Sequence, residues 1–143
     1  AVSYFKEAYD LAPQFTEPRV LYATALMYKG DTALVNELIQ TDEQKKAFAL
    51  NQYAVQATYG KKQYQLLTEM FKIRVATRPE DPQERSSLAF ILQESGNIAG
   101  AVEVLKKAGE DIPSFKAQAD EFMKSIVGAN LEATSGGKAP VKP

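Results

Sequence analysis

Residues 81–113 read DPQERSSLAFILQESGNIAGAVEVLKKAGEDIP, a complete helical hairpin written in one stretch. Asp81 is a helix-capping residue, Pro82 suits a first turn where its missing N–H is not needed, and Glu84 stands three positions after the cap. Arg85, Leu88, Ala89 and Leu92 then recur at helical spacing, so a first helix is expected up to the Gly96-Asn97 turn. Ala101, Leu105 and Ala108 recur in the same way on a second helix, which Pro113 closes.

The rest of the chain reads as variations on this unit. Ala1, Phe5 and Ala8 followed by Pro13 repeat the second-helix pattern without a preceding first helix. The sequence also begins without Met, so an upstream helix is expected, and Phe5 and Tyr9 would form an apolar face left bare by its absence. A helix is expected from Thr16–Pro18 to Lys29, with Gly30 ending it and Asp31 capping a short helix that carries Leu34, Val35, Leu38 and Ile39. Thr41 and Gln44 have the spacing of a capping box, which predicts a helix reaching Tyr59 with Leu50, Tyr53, Ala54 and Ala57 inward and Gln52 and Gln56 in water. After Gly60 a long helix is predicted, burying Tyr64, Leu67, Met70, Phe71 and Val75 and ending at Pro79. Ser114 should cap a last amphipathic helix with Phe115, Ala119, Phe122, Met123, Ile126 and Val127 on one stripe. The closing TSGGKAPVKP is small, polar and rich in Pro and Gly, so residues 133–143 are predicted to be disordered.

The hairpin resembles a tetratricopeptide repeat, whose first helix carries W-x2-L-G-x2-Y and whose second carries an A-x3-F pattern ending in Pro. Arg85, Leu88, Ala89 and Leu92 stand at the first-helix positions, and Ala101, Leu105, Ala108 and Pro113 at the second; the family's large aromatics are missing. Pro79 to Pro113 is 34 residues, the family period, and Pro13 to Pro79 is 66. The glycine turns divide unevenly, 30 residues from Gly30 to Gly60 and 36 from Gly60 to Gly96. The first hairpin is therefore short and the second long. The resemblance implies an all-α fold, a right-handed superhelical solenoid of antiparallel hairpins over residues 1–132: a half repeat at 1–13, hairpins at 16–40, 41–79 and 81–113, and a capping helix at 114–132.

Composition narrows the chemistry. The chain has no His and no Cys, which removes imidazole acid–base catalysis, Ser-His and Cys-His nucleophiles, disulfides and the usual zinc ligands. With 17 basic and 18 acidic residues there is no basic excess of the kind that neutralises phosphates, so nucleic acid is not an expected partner. No apolar run approaches the roughly 20 residues needed to span a bilayer, and direct membrane insertion is not expected. The stretch Thr58–Gln63 has a Gly and Lys but neither the second glycine nor the hydroxyl of a phosphate-binding loop. Glu80-Asp81 and Glu110-Asp111 are adjacent carboxylates at helix boundaries, where they read as caps rather than a calcium site. Lys61-Lys62 and Lys72, Arg74 and Arg78 read as solvated helix surface. No cofactor, metal or catalytic residue is expected.

What the resemblance implies instead is a concave groove, lined by the first helix of each hairpin, that binds a protein or peptide. Carried over residue by residue, the groove positions are Val20, Thr24, Met27 and Tyr28, then Asn51, Val55 and Tyr59, then Ser86, Phe90, Gln93 and Glu94. Tyr28, Tyr59 and Phe90 are the expected anchors. Val20, Thr24, Ser86 and Phe90 stand where the chaperone-clamp members of the family place Lys and Asn, so a chaperone tail is not the expected peptide. Two alternatives remain from the sequence. The run PEDPQERSSLAFILQESGN followed by IPSFKAQADEFMKSI resembles the helical tails of bacterial O-antigen ligase-like membrane proteins, which would make the chain an accessory domain of a glycan ligase or polymerase. The other is a self-associating spacer, a homodimer through the orphaned first helix.

Overall fold

The computed structural model describes residues 1–138, with side chains through 133, and the described residues are all helical, with no strand. Nine α-helices and one 3-10 turn follow in order: α1 Val2–Leu11, α2 Thr16–Lys29, α3 Thr32–Leu38, α4 Asp42–Leu50, α5 Gln52–Gly60, α6 Tyr64–Thr77, α7 Pro82–Glu94, α8 Ile98–Asp111, the turn Pro113–Phe115, and α9 Lys116–Lys138. They divide into two compact units, Ala1–Thr77 and Arg78–Pro143. No described helix is long and apolar enough to cross a membrane.

The second unit is built on the hairpin of residues 81–113. Asp81 accepts a hydrogen bond from the Gln83 N–H and starts α7, but Glu84 does not complete a capping box. Its carboxylate is buried and paired with Arg78 at 3.1 Å. Arg85, Leu88, Ala89, Leu92, Ala101, Leu105 and Ala108 are all buried, which places the repeat-pattern residues together in the α7–α8 core. α9, with Ala119 and Ile126 buried, and the turn before it, with Phe115 buried, pack against α8. Ser114 does not cap it: a 3-10 turn comes first, closed by the Phe115 N–H on the Ile112 carbonyl. α9 also continues through residues 133–138, into the stretch expected to be disordered; residues 139–143 of that stretch lie outside the described residues.

The α2–α3 hairpin of the first unit repeats the turn, cap and arginine bond of the α7–α8 hairpin at an offset of 66 residues. Gly30 and Gly96 both adopt positive φ, 98° and 87°, a conformation open to glycine without a Cβ clash. The Asp31 N–H bonds the Leu26 carbonyl as the Asn97 N–H bonds that of Leu92. Asp31 and Asn97 then cap the following helices, on the N–H groups of Leu34 and Gly100. Arg19 donates to the Pro13 carbonyl and Arg85 to that of Pro79, each from six residues on. The inter-helix loops are thus held by the same Pro-x5-Arg clasp.

The middle of the first unit departs from expectation. The capping box forms, with Gln44 N–H on Thr41 Oγ1 and Thr41 N–H on Gln44 Oε1, but the helix it starts does not run unbroken to Tyr59. It stops at Leu50 and restarts as α5 because Asn51 Oδ1 accepts from the N–H groups of Tyr53 and Ala54, offering the backbone a cap in place of continued helix. The restart turns Ala54, Ala57 and Thr58 into the core and leaves Tyr53 54 % exposed, so Tyr53 is not a core residue. Gly60 is the last residue of α5, and the left-handed position in the connection belongs to Lys62, φ 55°. On α6, Leu67, Met70 and Phe71 are buried while Tyr64 and Val75 are half-buried.

The first helix is less bare than expected. α1 packs on α2, Tyr9 lies 5.6 Å from Tyr22 between ring centres, and the Arg19 guanidinium sits 5.1 Å over the Tyr9 ring. Phe5 is half-buried. The exposed apolar groups there are Tyr4, Leu11 and Phe15.

Candidate functional site

Two contacts fix how α2 lies against the middle helices. Thr16, at the start of α2, donates its hydroxyl to Glu43 at the start of α4. One turn further along, Val20 and Leu21 share the walls of a cleft of about 290 Å3 with Ala47 and Asn51. Both contacts advance in the same sense, so α2 and α4 run parallel, and α5 also packs against α2.

The expected groove residues separate on this surface. Val20, Thr24 and Met27 are 4, 6 and 0 % exposed and belong to the core, with Thr24 Oγ1 donating to the Val20 carbonyl one turn back. Only a sliver of Val20 reaches the cleft. Their burial follows from α2 being packed on several sides, by α1, α3, α4 and α5, so that a single stripe of the helix stays outside. Asn51 is half-buried and its side-chain oxygen is committed to capping α5. Of the other expected residues in this unit, Tyr28 is 49 % and Tyr59 41 % exposed, and Val55 is half-buried. In the second unit Phe90 is 41 % exposed on α7, Glu94 is exposed, and Ser86 and Gln93 are half-buried.

Glu17, Leu21 and Ala47, none of them an expected groove position, line the cleft with the expected Val20 and Asn51. Leu21 and Ala47 could have been found from the register of the two helices once the break at Asn51 was recognised. Glu17 lines the cleft, and Glu43 accepts the hydrogen bond of Thr16, another lining residue. No protein-family model, curated protein or solved structure matches the chain.

Proposed function

We propose that the chain is a non-catalytic protein-interaction scaffold, a tetratricopeptide-like array of helical hairpins forming a solenoid, which holds a peptide or protein segment on the outward faces of its first helices. The observation that carries the reading is the partial exposure of large aromatics at the expected groove positions within each unit, Tyr28 on α2 and Tyr59 on α5 in the first and Phe90 on α7 in the second. Aromatic rings set among buried neighbours give contact area at low entropic cost and are common anchors of interfaces. Glu17 in the α2–α4 cleft, with Glu43 bonded to the lining Thr16, suits a partner that brings apolar side chains together with Lys or Arg. The lack of His and Cys in the sequence supports a role without catalysis, and the 66-residue repetition of the clasp, turn and cap supports the repeat architecture.

A second reading, self-association, draws on Tyr4, Leu11 and Phe15, which are 71, 81 and 59 % exposed at and just beyond α1. Site-specific photocrosslinking separates the two. A photoreactive residue at position 28 or 59 should give a crosslink to a different protein in cells, lost on adding excess unlabelled chain. Crosslinks only from position 4 or 11, and only between copies of this chain, would replace the scaffold reading with self-association.

A further inference from the structure

The second helix of the first hairpin stops early. α3 has 7 residues where α8, at the same repeat position, has 14. The second half of α8 buries Leu105 and Ala108; in the first unit the chain instead leaves the helix at Ile39 and turns into α4. The space not filled is a cavity of about 550 Å3 between α3, α4 and α6. That volume falls within the roughly 300–1,000 Å3 of clefts that enclose small ligands.

The cavity is amphipathic. Val35, Ile39, Phe48, Met70 and Ile73 line its apolar part, and Val35, Phe48 and Met70 are almost fully buried, so this lining is fixed by the core beneath it. Lys45 from α4 and Lys72 from α6 stand on the rim, both exposed. Among the described residues neither has an ion-pair partner. Glu69 also lies on the rim, which leaves it net positive, and Asn36 and Gln40 add amide groups able to donate hydrogen bonds.

We propose that this cavity binds a small amphipathic carboxylate, its acyl chain against Ile39, Phe48 and Ile73 and its head group at the Lys45 and Lys72 rim. The apolar lining supplies the affinity, and the two ammonium groups select an anionic head over a neutral one. Lys45 and Phe48 face this cavity while Ala47 and Asn51 face the α2 cleft, so α4 separates the two sites, and the proposal does not depend on the scaffold reading.

Decanoate, kept below its micellar concentration and titrated into the full chain under 1H–15N observation, tests it. Saturable binding is expected, with shifts confined to residues around Ile39, Phe48, Met70 and Ile73. Decanol, with the same chain and no charge, should bind about fivefold more weakly, the scale of one solvent-exposed ion pair. The Lys45→Gln/Lys72→Gln double variant should lose the preference for decanoate, and Ile73→Trp, which fills the cavity, should abolish binding of both while far-UV circular dichroism shows the helices intact. Non-saturating or scattered shifts overturn the proposal, as do equal affinities for decanoate and decanol in the unaltered chain, a comparison that needs no variant to fold.

Discussion

Replacing Arg85 by Met should destabilise the fold by about 2 kcal/mol, because one buried guanidinium holds three contacts there. Arg85 is 6 % exposed, and its Nε and Nη2 donate to the Pro79 carbonyl at 3.2 and 2.7 Å while Nη1 meets Asp111 Oδ2 at 3.0 Å. Methionine keeps most of the apolar stem and deletes all three contacts. Hydrogen bonds from a charged donor are worth about 1.5–3 kcal/mol net, and both bonds to Pro79 end on one oxygen, so they count nearer one than two. Removing the buried charge refunds some desolvation, but its partners stay behind, and breaking one half of a buried arrangement costs more than replacing the whole. Pro79 is exposed, so water can reach its carbonyl and the loss falls in the middle of that range. Urea unfolding followed by circular dichroism should show a lower midpoint at unchanged slope, and the melting temperature should fall by about 4–8 °C at roughly 2–4 °C per kcal/mol. A change within about 0.5 kcal/mol, the scatter of ordinary surface substitutions, would refute the clasp as a stabilising device.

The same site sets a pH dependence. Lys107, at 2.8 Å, and then Arg85 hold the Asp111 carboxyl below the ordinary carboxylate value. A folded-state pKa below the unfolded one means that the contribution is fully present above the unfolded value and is lost as pH falls through the folded one; Asp111→Asn should therefore flatten the acid limb of stability against pH and leave alkaline behaviour unchanged. Ala101 is fully buried on α8, which packs against α7 and α9, and Ala101→Leu should cost about 1–3 kcal/mol by overpacking; an unchanged melting temperature would exclude a close helix contact there. Phe90→Ala should reduce partner capture in crosslinking while costing well under the roughly 3–5 kcal/mol of a core Phe deletion, because Phe90 is 41 % exposed. Lys62 holds φ 55°, and Lys62→Gly should raise stability by up to about 1 kcal/mol, the relief of a left-handed side chain less the added unfolded-state entropy; thermal melts decide the sign.

Local signals carried far in this chain wherever one residue governs one turn. Gly30 and Gly96, Asp31 and Asn97, and the Thr41–Gln44 box could be read directly, because a left-handed turn or an orphan helix N–H is satisfied within a few residues. The buried set of the Asp81–Pro113 hairpin was equally legible, since helical spacing alone brings Leu88, Leu92, Ala101 and Leu105 onto facing stripes. Asn51 shows the limit. Its amide can lie in water on a continuing helix or cap a new one, and nothing nearby chooses; packing of α5 on both α2 and α6 favours the restart, which moves Tyr53 outward and Thr58 inward.

The sequence by itself determined an all-helical chain with repeated turns and caps, for these rest on covalent geometry and neighbouring hydrogen bonds; the Pro-x5-Arg clasp appeared only in the structure. Which faces of its helices remain in contact with solvent was decided only by tertiary structure. Val20, Thr24 and Met27 share a helix with Tyr28 and look equally suited to a groove, yet α2 is enclosed on several sides and only the Tyr28 stripe stays open. The short α3 could be counted in the sequence; that its missing turns leave a cavity beside Lys45 and Lys72 depends on where α4 and α6 come to rest. Burial is a property of every neighbour at once, and a periodicity specifies only one face.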